Sequence, residues 1–210
     1  MKKFLLLLFA FLLSTESKSQ DNEIWFVKCD SLDLNNCGYF DSNGNMKIPY
    51  GKYFICFTDT FRTFAIVLKS GEGFIGIDKQ ENKLFEIYPF DNGPDYISDG
   101  TFRIIENNKM GIADTSGKIL IKPIYDFTYG FENGIAIVNI GGHSERSDPT
   151  DPNCEYYTWA GGYWGIIDRQ GNILLELKYN YFWNSSANKF EFINENEAYE
   201  IVEGRIIRTK

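Results

Sequence analysis

One histidine, four cysteines and a crowd of carboxylates bound the chemistry open to this chain. His143 and Cys154 lie eleven residues apart, and a Cys/His pair can raise a thiolate for nucleophilic attack. No third orienting residue and no nucleophile motif accompany them, and oxidation of Cys154 would abolish the pair. Between them Asp148, Asp151, Asn153 and Glu155 offer hard oxygens suited to Ca²⁺, but without an EF-hand pattern; Pro149 and Pro152 make a rigid turn the simpler reading. Tyr156, Tyr157, Trp159, Tyr163 and Trp164 could form a platform for sugar rings, because an aromatic face is apolar while its rim bonds hydroxyls. Strand alternation puts Tyr157 and Trp159 on one face, so both are expected in the core or both outside it.

The chain has no Gly-x-Ser-x-Gly elbow, no phosphate-cradling glycine loop before a helix and no zinc-type Cys/His cluster. Paired carboxylates could do glycosidase work, yet with 29 acidic residues some pair is inevitable. The expectation is a protein without catalytic, metal-binding or cofactor-binding residues.

All of these candidates but Trp164, which follows directly, fall in residues 141–163, and what surrounds them is repetitive. A unit of about 35 residues recurs, marked by a glycine and, six positions later, a residue able to take positive φ. The pairs are Gly38/Gly44, Gly76/Asn82, Gly111/Gly117 and Gly165/Gly171, with Ala198/Gly204 as a degenerate fifth. The interval from Gly117 to Gly171 is longer than the rest by about 18 residues, so the candidates sit in an insertion; insertions in repeat proteins map to loops on one face, often the binding face. The plain alternative is a tolerated polar loop on a longer hairpin.

Each unit reads as a hairpin. Asp41, Asp114 and Asp168 open turns in which the carboxylate accepts backbone N–H groups two residues on, and Gly44, Gly117 and Gly171 supply the left-handed residue of a type I turn closed by a G1 bulge. In the second unit Lys79 and Asn82 take these places, asparagine being the commonest substitute for glycine there. Aromatic segments follow, around Tyr53, Tyr88-Pro89-Phe90, Tyr125 and Tyr179, whose rings are expected to turn inward and seal each unit against the next. Asp99-Gly100 and Asn133-Gly134 mark a second set of turns. Cys29 and Cys37 flank a short polar turn between two strand-like runs and are the best candidates for a disulfide stapling the first unit; free, partly buried thiols are the alternative, and Cys56 reads as a small core residue.

The spacing, with Trp164-Gly165-Ile166-Ile167-Asp168-Arg169-Gln170-Gly171 as its best copy, resembles the WG (KWG) repeat of bacterial proteins across residues 37–207. Cys37, Ile75 and Met110 stand where the other units would carry tryptophan. The resemblance implies an all-β fold of tandem hairpins and, because members mostly lack an assigned activity, little about a reaction. An open array with capped ends is expected, propeller-like curling being the other arrangement. The expected layout is a signal peptide over 1–19 and one β-repeat domain over 20–210. Its units lie near 24–72, 73–107, 108–163 with the insertion 141–163, 164–197, and a partial capping unit 198–210.

Lys2, Lys3, an apolar run over residues 4–13 and Ser17-Lys18-Ser19 form an export signal, its apolar run too short for a membrane span of about 20 residues. Its removal takes away three lysines and one glutamate, moving the net charge from −8 to −10. That charge disfavours nucleic acid as a partner. The composition thus points to an exported scaffold, in the periplasm, on the cell surface or secreted, that binds a protein or glycan without catalysis. A hydrolase using acidic residues near the insertion and a structural envelope component are the alternatives.

Overall fold

The computed structural model describes residues 23–33, 36–184, 189–202 and 204–210. The expected export signal over 1–19 lies outside the described residues. Those described form β-strands and turns without a helix, and every strand pair is antiparallel. The strands run β1 (Trp25–Cys29), β2 (Cys37–Asp41), β3 (Met46–Ile48), β4 (Ile55–Cys56), β5 (Thr60–Phe61), β6 (Ala65–Lys69), β7 (Gly73–Ile77), β8 (Lys83–Ile87), β9 (Pro89–Phe90) and β10 (Gly93–Pro94). The second half continues with β11 (Thr101–Glu106), β12 (Lys109–Asp114), β13 (Ile119–Tyr125), β14 (Phe127–Thr128), β15 (Ile135–Arg146), β16 (Tyr157–Asp168), β17 (Ile173–Asn184), β18 (Lys189–Ile193), β19 (Ala198–Val202) and β20 (Arg205–Arg208).

Three sheets carry the body: β3-β2-β1-β5, then β13-β12-β11-β8-β7-β6-β4, then β14-β15-β16-β17-β18-β19-β20. None closes into a barrel. Side-chain alternation explains how the units stack. In β12, Ile112 and its neighbour Ala113 point to opposite faces and enter different cores: Ala113 joins Phe64, Phe85 and Phe102 toward the preceding hairpin, and Ile112 joins Phe131, Val138 and Ile167 toward the following one. Ile166 and Ile167 divide in the same way between the last core, with Trp164 and Phe192, and the one before it. Ala65, Val67, Ile75 and Ile77 complete the first core with Tyr39 and Phe61. The second and third sheets are therefore apolar on both faces at β12 and β16, and each fully buried Ile or Phe stabilises the stack by about 1.5–3 kcal/mol.

The turn chemistry repeats four times. The Oδ1 of Asp41, Asp78, Asp114 and Asp168 accepts from the backbone N–H groups two and four residues on. In three copies the Nδ2 of Asn45, Asn82 or Asn172 binds the same carboxylate's Oδ2; Ser116 Oγ does related work in the third unit. The Asn45 bonds hold the Asp41 carboxyl down at about 2. Gly44, Gly117 and Gly171 have φ of 84°, 87° and 82°.

The second unit departs from the expected alignment. Its turn opens at Asp78, not Lys79, and its left-handed residue is Glu81 (φ 63°), not Asn82. The reason is register: Ile77 pairs with Lys83 and Gly76 with Phe85, as Phe40 pairs with Met46 and Tyr39 with Ile48. Gly76 therefore matches Tyr39, Ile112 and Ile166, and Phe74 rather than Ile75 stands at the tryptophan position. Asn82 serves instead as the amide clamp on Asp78, and Glu81 accepts from Lys52 Nζ and Tyr53 Oη of the preceding unit at 2.7 and 2.9 Å.

The aromatic seals also differ by unit. Tyr53, Tyr125 and Tyr179 are buried, but Tyr88 is half-buried and Phe90 is 43 % exposed. A buried ion pair occupies that junction: the Arg103 guanidinium binds Asp95 at 2.6 and 3.0 Å and lies 4.2 Å over the Tyr88 ring, which covers a cation rather than a neighbouring core. At the first end of the stack Cys29 and Cys37 are opposite each other in the β1–β2 ladder and joined by a disulfide, while Cys56 and Cys154 are free thiols. Burial pushes the Cys56 thiol up to about 11.

Candidate binding site

The insertion folds as a two-stranded arm. β15 and β16 pair from Ile135↔Asp168 out to Arg146↔Tyr157, but β14 flanks β15 only at Val138 and Asn139, and β17 flanks β16 only over Trp164–Ile167. From Gly142↔Gly161 outward the two strands have only each other, with both edges open. A lone hairpin is marginal in water, so its base needs bracing. Asn139, fully buried, supplies it: its Oδ1 accepts from Gly142 N–H at 3.0 Å and Trp159 Nε1–H at 2.9 Å, and its Nδ2 donates to Gly161 O at 3.1 Å.

The five candidate aromatic residues, Tyr156, Tyr157, Trp159, Tyr163 and Trp164, do not form one platform. Trp164 is buried and stacks on Tyr181 with ring centroids 4.6 Å apart. Trp159 is half-buried and stacks on Phe127 at 5.2 Å. Only Tyr156, Tyr157 and Tyr163 face solvent, at 80, 61 and 61 % exposure. Tyr157 and Trp159 share a face yet differ in burial, because the body ends between them: Trp159 reaches back to Phe127 and Asn139, and Tyr157 lies past anything it could cover.

His143 and Cys154 are not brought together. His143 pairs with Ala160, three rungs short of the final Arg146↔Tyr157 pair, about 10 Å along the strand. Cys154 lies past that pair, its thiol donating to Tyr156 O at 3.4 Å. Asp148 and Asp151 accept from their own turns, from Thr150 and Asn153. Among the described residues no three His, Cys, Asp or Glu side chains are gathered to hold a metal ion. No helix there is long and apolar enough to cross a membrane.

A concavity of about 370 Å³ opens on the body between the turn at Asn133-Gly134 and the terminal hairpin β19–β20. Tyr129, Phe190, Ile135, Ile137 and Ile201 line it, with Glu132, Asn133 and Lys189 among its polar groups. Lys189 Nζ is bound by Glu200 and lies 3.5 Å from Glu191, contacts that raise its pKa. Tyr129 sits edge-on to Phe127 with centroids 5.0 Å apart and near-parallel to Trp164 at 6.3 Å.

Three of the four hairpins share a glycine three residues before the turn aspartate; in the second, opened by Asp78, Ile75 stands there. A Cβ on Gly38, Gly111 or Gly165 would sit 2.5, 2.4 or 2.6 Å from the carbonyl oxygen of Ile48, Ile121 or Leu175, because a register shift presses the returning strand's backbone onto that position. Residues 110–142 and 164–197 match the model of the WG containing repeat. The chain thus carries a WG repeat over each of these two stretches. The Trp-Gly pair is Trp164-Gly165, and in the earlier match Met110-Gly111 takes its place. No curated protein matches the chain.

Two functional groups were hidden from the sequence reading. Asn139 left a trace, a lone amide in the apolar run Ile135-Ala136-Ile137-Val138-Asn139-Ile140. Tyr129 belongs to the alternating Phe127, Tyr129, Phe131, but only tertiary packing separates it, 37 % exposed, from fully buried Phe131.

Proposed function

We propose that this repeat protein is an exported, non-catalytic scaffold that holds a protein or glycan partner. The observation that carries the reading is the arm beyond Gly142↔Gly161, which contributes little to the core yet is braced at its base by a buried asparagine. Two open strand edges and the exposed rings of Tyr156, Tyr157 and Tyr163 suit it to contact rather than catalysis: unpaired edge N–H and C=O groups give main-chain affinity, and tyrosines add area at low entropic cost. The basic and apolar leader residues, together with the Cys29–Cys37 disulfide, support export.

The test replaces residues 143–160 by a two-residue Asn-Gly turn, which keeps the Gly142 and Gly161 rung. The shortened chain is expected to melt cooperatively and to lose the partner that the full chain retains from an envelope extract. Retention of that same partner by the shortened chain would overturn the reading.

A further inference from the structure

We propose that the groove between the Asn133-Gly134 turn and the terminal hairpin is a binding subsite for one uncharged pyranose ring of a glycan. It does not depend on the arm, none of whose residues line it.

Size and lining come first. About 370 Å³ falls at the low end of small-ligand sites, which run to roughly 300–1,000 Å³ and pair apolar walls with a few placed polar groups. A pyranose presents an axial C–H face and an equatorial belt of hydroxyls, so it needs a flat apolar wall beside hydrogen-bonding groups. Tyr129 and Phe190, centroids 6.4 Å apart and tilted by 43°, supply the wall with Ile135 and Ile201. Packing against Phe127, Trp164 and Tyr181 holds the Tyr129 ring before any ligand arrives, which lowers the entropic cost of binding.

Charge selects the ligand. Lys189 is satisfied by Glu200 and Glu191, whereas the exposed Glu132 carboxylate has no side-chain partner among the described residues. An acceptor without its donor suits a neutral polyol and repels phosphate, sulfate and uronic acids. Two of its lining residues are tightly packed: Gly204 and Asn133, both at positive φ, approach so closely that a Cβ on Gly204 would meet Asn133 Cβ at 2.6 Å.

Binding of cellotetraose and chitotetraose to the full chain, followed by calorimetry and tryptophan fluorescence, tests this, with tetragalacturonate as the acidic counterpart. At least one neutral tetrasaccharide is expected to bind, and tetragalacturonate at least about tenfold more weakly. Tyr129→Ala should weaken binding by about tenfold, the loss of one stacking face. Because that change also loosens the aromatic cluster, the exposed Glu132→Ala is the second variant; it should weaken binding at least about threefold at an unchanged melting temperature. Leu32→Ala, exposed and outside the groove, should leave binding unchanged. Absence of binding by both neutral probes up to roughly 10 mM, equal binding of the acidic probe, or undiminished affinity in Glu132→Ala would overturn the proposal. None of these outcomes bears on the arm, so the two readings fail separately.

Discussion

At the residue scale, the glycine of the repeat is a steric requirement rather than a source of flexibility. Gly111 has no left-handed φ, so alanine would fit the backbone; what excludes it is the Ile121 carbonyl, 2.4 Å from where the Cβ would stand. Gly→Ala at an unstrained open site stabilises by about 0.4–1 kcal/mol through the unfolded chain, whereas overpacking costs about 1–3 kcal/mol. Gly111→Ala should therefore destabilise by about 1–3 kcal/mol in a urea titration. Gly93→Ala, whose nearest neighbour would be 3.7 Å away, should change stability by less than about 1 kcal/mol. Equal stability of the two variants would show that the close strand approach does not govern this position. Asp41, Asp114 and Asp168 were legible because a carboxylate at that spacing has one local task; Asp78, one position from the expected Lys79, was not. Glu81 was not, since the pattern Gly76/Asn82 satisfied the expected spacing with the wrong residues, and only the Ile77↔Lys83 pairing exposes the shift.

At the element scale, the long hairpin works as an arm because one buried side chain joins it to the body. Asn139 satisfies Gly142 N–H, Gly161 O and the Trp159 indole together, so Asn139→Ala leaves two donors and an acceptor without it. The expected cost is about 1–3 kcal/mol, with a red shift of tryptophan emission as Trp159 leaves Phe127. A variant that kept the native emission and stability would place the bracing elsewhere. The length of the insertion was readable from the interval between turn glycines; its form as paired strands was not, because its residues include prolines, aspartates and glycines that read equally well as a loop.

At the scale of the whole molecule, stability passes from hairpin to hairpin through four cores, and the ends are the weak points because each has one neighbour. The first end carries the Cys29–Cys37 cross-link, with a sequence separation of 8. Closing so short a loop is worth about 2–3 kcal/mol. Reduction should lower the melting temperature by that equivalent, and amide exchange should quicken first in β1 and β2 while β15 and β16 near the Ile137 core stay protected. Uniform loss of protection along the chain would show that the stack behaves as a single cooperative unit. The groove belongs to this scale as well: Tyr129 and Ile201 lie more than seventy residues apart in sequence and meet only because the terminal hairpin folds back beside β15.

Local chemistry determined the repeat, its turns and the all-β architecture, since each depends on groups within a few residues of one another: an aspartate with amides two and four positions on, a glycine where a left-handed residue is needed, apolar residues alternating along a strand. Tertiary structure alone decided which aromatic rings are free. Trp164 and Tyr163 are neighbours in sequence, yet one is sealed under Tyr181 and the other stands in solvent, because alternation says that they face opposite ways and only the packed neighbour says which way is covered.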